Sequence, residues 1–249
     1  HAFRWDRYPA AEVAKLPEYC QVRFTRDVHS PAYLSWVGIL GPDMLHVHHY
    51  CGAQMDVQRY YAARDPRVSG LALKIARDNL QYMVSNVDAS FSLLPGIYTL
   101  FGDVERLSKK PVQAREYYEK AVRLDPGEAR ACGLLADLTA ATGNRSRALA
   151  IVSEGLRHTP DSSALQRRYR EYGGKLPYPA PVAPQPESKP DPAAKPVAEP
   201  VPTPELKSGP AAVPETPPAS ETQPTAPAAD APAKPKIGTP DNPYCRFCP

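Results

Sequence analysis

The feature that most constrains this sequence is a stretch, from Pro95 to Ser162, that repeats itself with a period of 34 residues. Ala114 recurs as Ala148, and Pro126 recurs as Pro160. The same spacing joins five further pairs: Tyr98 and Cys132, Phe101 and Leu135, Gly102 and Ala136, Tyr118 and Val152, and Ala121 and Gly155. A fixed period of this length predicts stacked supersecondary units that bury their apolar faces against one another.

Proline and glycine positions predict where the helices of each unit end. In the first unit we expect helices over 97–109 and 111–124, because Pro111 suits a first helical position and Pro126 cannot continue a helix. In the second unit we expect helices over 129–142 and 145–158, separated by Gly143 in a left-handed conformation. Residues at helical spacings that suit a buried seam are Leu124, Leu134, Leu135, Leu138, Leu149, Ile151, Val152 and Leu156.

This pattern resembles the tetratricopeptide repeat family, in which each unit is a pair of antiparallel helices with small residues at their crossing. The resemblance implies an all-α fold, an α-solenoid of helical hairpins, and a non-catalytic role in binding a protein or peptide partner. First helices of the units would line the partner groove, here with Thr99, Asp103, Arg106, Arg130 and Asp137. Family members that clamp a C-terminal carboxylate use Lys and Asn on that face. Thr99 and Asp103 stand at the corresponding places here, so the resemblance does not carry that specificity over.

The flanking segments extend the repeat in both directions. Residues 44–63 and 67–86 have helical period and resemble a longer, divergent hairpin, with Asp43 as the N-cap of the first helix. The expected apolar face of the second helix comprises Val68, Leu71, Ile75, Leu80, Met83 and Val84. Residues 162–172 predict a terminal capping helix with a polar outer face, ended by Gly173-Gly174. Residues 1–43, with short helices near 10–16 and 31–39, are expected to pack on this body, which spans 44–174.

The C-terminal third has a different composition. It holds 22 of the 31 prolines, and no aromatic residue lies between Tyr178 and Tyr244. We therefore expect 175–236 to be a proline- and alanine-rich, non-helical linker, because it cannot bury enough apolar surface to offset its ordering entropy. Residues 237–249 form a tip with Tyr244 and Phe247, which we expect to dock on a partner, on the chain's own groove or on a neighbouring copy. The alternative is a frayed terminus.

A histidine cluster is the densest set of possible metal ligands. His46, His48 and His49 precede Cys51, and imidazole is a common ligand of zinc, copper and haem iron. No HxxxH, HExxH or CxxCH motif accompanies them, so the alternative is that they pack against residues 1–39 and hydrogen-bond backbone groups. His1, if it begins the mature chain, resembles one residue of the histidine brace of copper oxygenases. No cofactor is predicted, and a metal ion or haem at His46, His48 and His49 is the alternative function.

The five cysteines bear on location. We expect a Cys20–Cys51 disulfide that ties the N-terminal segment to the first long helix, against the alternative of two reduced, buried thiols. Cys132 suits a core position. Cys245 and Cys248 form a CxxC pair, for which we expect a local disulfide; half of a zinc site completed by another chain is an alternative. The chain begins without methionine, and we expect a removed signal peptide and a periplasmic or extracellular location.

Charge and hydropathy exclude several functions. The formal net charge of +3 is too small to indicate nucleic-acid binding, and no apolar run of transmembrane length occurs. No nucleophile elbow or phosphate-binding glycine loop is present, so we expect no enzyme. The Lys-Pro and Ala-Pro spacers resemble those of bacterial envelope proteins. The sequence therefore favours an exported interaction scaffold, with possible self-assembly through its tail.

Overall fold

The computed structural model describes residues 3–183, and within them the chain forms ten α-helices and no strand. The helices are α1 (Ala10–Val13), α2 (Glu18–Phe24), α3 (Pro31–Leu40), α4 (Val47–Ala62), α5 (Pro66–Asn86), α6 (Leu94–Leu107), α7 (Pro111–Leu124), α8 (Ala129–Ala141), α9 (Arg145–His158) and α10 (Ser163–Glu171). This confirms the all-α prediction. No helix in this range is long and apolar enough to cross a bilayer.

Consecutive helices pack as hairpins that stack on one another. The pairs are α4 with α5, α6 with α7, and α8 with α9, and each pair contacts the next along the chain. Helix α10 closes the stack by packing on α8 and α9. At the other end, α2 packs on α4, and α3 packs on α2 and on a 3₁₀ turn at Pro42–Leu45. The helical-hairpin repeat expected from the 34-residue period is therefore confirmed.

The ends of the repeat helices follow the proline and glycine signals closely. Helices α7 and α9 have the predicted bounds, and Gly143 has the predicted left-handed conformation, with φ of +87°. Helix α6 begins three residues earlier than predicted, because Pro95 sits in its first turn, where its missing N–H costs nothing. Ser162 caps α10 by accepting from the Leu165 amide.

Near the N-terminus one expectation is wrong and one helix was missed. Asp43 does not cap α4: Pro42 starts a 3₁₀ turn, the helix begins only at Val47, and the Asp43 carboxylate accepts from the Asp88 amide at 2.8 Å. Helix α2 was not predicted. Its signals are faint, namely Pro17 immediately before it and Glu18 in its first turn.

Small residues mark the crossing of the two helices in each repeat. A Cβ added at Gly102 would lie 2.4 Å from the Tyr118 ring, and that ring is fully buried. In the second repeat the matching positions are Ala136 and Val152, both also fully buried. In the first repeat, Gly102 leaves room for the large Tyr118 ring. In the second repeat, Ala136 has a methyl group and faces the smaller Val152.

Three predicted seam or face residues are exposed instead. Leu124 is 48% exposed, and Val68 and Leu71 are each 53% exposed. Leu124 is the final residue of α7, and Val68 and Leu71 lie in the first two turns of α5. Helix ends have fewer neighbouring turns to cover them, and periodicity alone does not detect this.

Candidate functional site

The predicted partner groove contains a buried carboxylate with three partners. Asp103 on α6 is 1% exposed and accepts a hydrogen bond from the Tyr118 hydroxyl at 2.9 Å. The Arg130 guanidinium, on α8, donates to the other carboxylate oxygen, and an Arg106 nitrogen lies 3.7 Å from the oxygen that Tyr118 contacts. Burial is the main reason that the pKa of Tyr118 is raised, with the Asp103 charge adding to it. Three of the residues named from the sequence, Asp103, Arg106 and Arg130, thus lie in contact with one another. Tyr118 is a further partner of Asp103 that the sequence did not indicate.

Asp137 repeats this arrangement 34 residues later. Arg168 on α10 donates to both of its oxygens at 2.8 Å, and the Tyr172 hydroxyl donates at 2.5 Å. Burial opposes ionisation, but these hydrogen bonds lower the pKa of Asp137 below its usual value. Burial and the same contact raise the pKa of Tyr172 to about 12. Each repeat therefore carries an aspartate bonded to a tyrosine and to an arginine of the next first helix or of the cap.

Thr99 does not offer its hydroxyl to a ligand. It is 4% exposed and donates to the Pro95 carbonyl at 2.9 Å within its own helix. The Arg168 guanidinium also lies over Gly133, where an added Cβ would come within 3.1 Å of it. The acceptors predicted for this face are thus used inside the molecule.

The side chains of this face that have hydrogen-bond donors to spare are arginines. The Arg106 Nε is buried and has no hydrogen-bond partner within residues 3–183. The side chain of Arg130 is 60% exposed although it binds Asp103. Asp103, Arg106 and Arg130 together have a formal charge of about +1 at neutral pH, and the half-buried Glu128 also interacts electrostatically with Arg130. The chemistry of this cluster suits a ligand that brings a carboxylate or another acceptor.

Each of the three histidines in the cluster is hydrogen-bonded to a different partner. His46 Nδ1 lies 3.0 Å from the Tyr82 hydroxyl, His48 Nδ1 donates to the Leu45 carbonyl at 3.0 Å, and His49 Nδ1 lies 2.8 Å from Asn79 Oδ1. Within the described part of the chain, no three side chains of the metal-binding types lie close enough to hold an ion. In the structure His46 and His49 are hydrogen-bonded to side chains, and only His48 is bonded to a backbone carbonyl.

Aromatic rings enclose these imidazoles. Trp5 stacks on His48 with ring centres 4.7 Å apart, and Tyr82 stacks on His49 at 3.8 Å. Burial lowers the pKa of His49 to about 4 and that of His48 well below its ordinary value. The buried Arg23 guanidinium lies 5.0 Å from the Trp5 ring centre and adds to this effect. The cluster fixes the N-terminal segment on α4 and α5.

Cys20 and Cys51 form a disulfide in the structure, with their Cα atoms 5.7 Å apart. This is the pairing that the sequence predicted, and it joins α2 to α4. Cys132 is a buried free thiol, and burial raises its pKa to about 12. It occupies the core beneath Gly155, where an added Cβ would lie 3.1 Å from the Cys132 Cβ. His1, Tyr244, Cys245, Phe247 and Cys248 lie outside the described residues.

Comparison with known proteins adds one finding. Residues 106–168 match a tetratricopeptide repeat family model, and this range covers all of helices α7, α8 and α9 and the first part of α10. A comparison with curated proteins finds no significant match to the chain. The matched region contains the second 34-residue unit and its stacked helix pair, and it ends within the capping helix. The region from residue 106 to residue 168 is therefore similar to the tetratricopeptide repeat family, in agreement with its stacked helical hairpins.

Proposed function

We propose that this protein is an exported, non-catalytic scaffold whose repeat face binds an acidic segment of a protein partner. The family match suggests a role in protein–protein interaction. One observation carries the choice of an acidic ligand: the Arg130 guanidinium remains 60% exposed although it binds Asp103. An exposed guanidinium has donors to spare, and a ligand carboxylate would accept charge-assisted hydrogen bonds from them.

Support for export comes from the Cys20–Cys51 disulfide, since such bonds persist mainly in oxidising compartments. We further propose that the tip at 237–249 mediates contact with other copies of the chain. Light scattering of the full chain and of a variant lacking 237–249 tests this part. Assemblies that disappear on deletion support it, and identical masses contradict it.

The acidic-ligand proposal is tested by selecting peptides from a random display library on the immobilised full chain. We expect enrichment of Asp and Glu, and binding of the selected peptides should weaken about tenfold in an Arg106→Gln, Arg130→Gln double variant, because two charge-assisted contacts are lost. Arg123→Gln is the matched control, because Arg123 is exposed near the end of α7, the second helix of its hairpin, and not on a first helix of the repeat face. Selected peptides without acidic residues, or equal binding by both variants, would refute the proposal.

A further inference from the structure

A groove outside the repeat face lies between the short N-terminal helices. It has a volume of about 540 Å³, is open along one side, and has an apolar lining formed by Trp5, Tyr8, Val13 and Phe24. Its remaining lining residues include Asp6, Gln21, Thr25 and Arg26. Open, aromatic-lined grooves of this kind suit extended proline-rich segments, whose preformed polyproline II shape loses little entropy on binding.

The walls of the groove are fixed in place before any ligand arrives. The Tyr8 hydroxyl donates to the buried Asp56 at 2.7 Å, and Arg59 binds Glu12 on α1 at 2.8 Å. Helix α2 is tied to α4 by the disulfide of Cys20. Each of the three segments that line the groove, residues 5–8, α1 and α2, therefore has an anchor. Binding then requires little reorganisation of the groove.

Two exposed charges of opposite sign lie among the groove residues. The Arg26 side chain has no hydrogen bond or ion pair to any of residues 3–183, and the residue adopts a left-handed backbone conformation, with φ of +64°. This conformation is unfavourable for a residue with a side chain, and such residues concentrate at functional sites. Among residues 3–183, Asp6 is paired only with the exposed Arg4, and a pair between exposed charges is easily exchanged.

The chain itself contains a sequence with matching chemistry. Residues 188–192 read Ser-Lys-Pro-Asp-Pro, so Lys189 and Asp191 flank a proline and carry the charges that Asp6 and Arg26 would bind. In a polyproline II helix these two side chains are separated by about 6 Å along the axis. The other Lys-Pro pairs, at Lys195 and Lys234, lack an acidic residue two positions later.

The length of the connection indicates which copy supplies this segment. Val182 is held on α9 by a hydrogen bond from its amide to the Arg157 carbonyl at 2.8 Å. Six residues from Ala183 to Lys189 span at most about 20 Å. The groove is built on α1 and α2, and steps of 8–10 Å between packed helices place α2 about 25–30 Å from α8 and α9. We propose that the aromatic groove binds residues 188–192 of a second copy of this chain.

This proposal is independent of the repeat face and of the tip at 237–249, and a charge swap tests it. In the groove variant, Asp6→Lys is combined with Arg26→Glu; in the segment variant, Lys189→Glu is combined with Asp191→Lys. All four residues lie on the surface or outside the described body, so the fold should be kept. A labelled peptide with the sequence of residues 187–196 is titrated into each full-length protein and followed by fluorescence anisotropy. We expect the groove variant to bind it about tenfold more weakly, and a peptide with swapped charges to restore binding.

Mixing the two variants distinguishes contact between copies from contact within one. Each variant alone carries mismatched charges, whereas a mixture offers matched pairs only between different molecules. We expect the variants to self-associate more weakly than the wild type by sedimentation velocity, and the mixture to regain association. Unchanged peptide binding by the groove variant overturns the proposal. A second variant, Ala14→Trp, fills the groove, and it overturns the proposal if it binds the peptide as well as the wild type does. Charge-sensitive binding without regained association in the mixture overturns the assignment to a second copy.

Discussion

The crossing of α6 and α7 allows a sharp test of how the repeat is packed. Replacing Gly102 with Ala places a methyl group 2.4 Å from the buried Tyr118 ring, where apolar atoms normally stand about 3.5–4.0 Å apart. The ring must therefore move by about 1 Å within a closed core. Overpacking of this size costs about 1–3 kcal/mol. The higher helix propensity of Ala returns up to about 1 kcal/mol, so we expect Gly102→Ala to destabilise the protein by about 1–2 kcal/mol.

The second repeat supplies the compensating change. It has Ala136 and Val152 at the matching positions, so Tyr118→Val combined with Gly102→Ala reproduces a pairing that the chain already uses. Tyr118→Val alone should cost about 3 kcal/mol through lost burial and the lost hydrogen bond to Asp103. The double variant should be no less stable than Tyr118→Val, which gives a coupling of about 1–2 kcal/mol.

Urea unfolding followed by far-ultraviolet circular dichroism measures all of these variants. Gly70→Ala is the matched control, because Gly70 is also inside a helix but has no atom within 4 Å of an added Cβ. It should stabilise the protein by about 0.5–1 kcal/mol. If Gly102→Ala also stabilises the protein, or if the single costs simply add in the double variant, the proposed steric origin of the repeat glycine is wrong.

Three further predictions concern the anchors of the helical stack. Reducing or removing the Cys20–Cys51 bond should cost about 3–4 kcal/mol in the chain-entropy model, measured by urea unfolding with and without reductant, with Cys132→Ala as a control for thiol effects. The pKa of His49 is lowered to about 4 in the folded state, so its contribution to stability is complete above about pH 6.5 and is lost progressively as pH falls towards 4; His49→Gln should flatten this part of the pH–stability curve. Asp137→Asn should weaken the bidentate contact of Arg168, and hydrogen exchange should speed up in α10 before it does so in α9.

The repeat was predictable because its signals are local. A 34-residue period, Pro111, Gly143 and the Asp-Pro-Gly turn after Leu124 define helix ends without reference to distant contacts, and α7 and α9 have the predicted bounds. The N-terminal segment was predictable only in part. Helix α2 is held by a disulfide and by the buried Arg23, and both depend on residues far along the chain.

The sequence allowed the positions of the candidate site residues to be predicted, but not the ion pairs that these residues form. The repeat pattern places Asp103 and Asp137 on one face, but it does not show that Arg130 and Arg168 already neutralise them. Arg168 belongs to the cap, outside the repeating register, so no period links it to Asp137. The 34-residue spacing of the two aspartates was the available signal that they share a structural role.

The two aspartate–arginine pairs have a mechanical consequence. Each pair joins a first helix to the following unit or to the cap, on the face where a ligand is expected. In a stack of repeats, stability is roughly a sum of unit terms and nearest-neighbour terms, and these pairs belong to the second kind. A ligand carboxylate that drew Arg130 away from Asp103 would therefore weaken the coupling between units, and loosening this coupling would alter ligand affinity by the same factor. Occupancy of the groove and the free energy of contact between neighbouring units would then be thermodynamically linked.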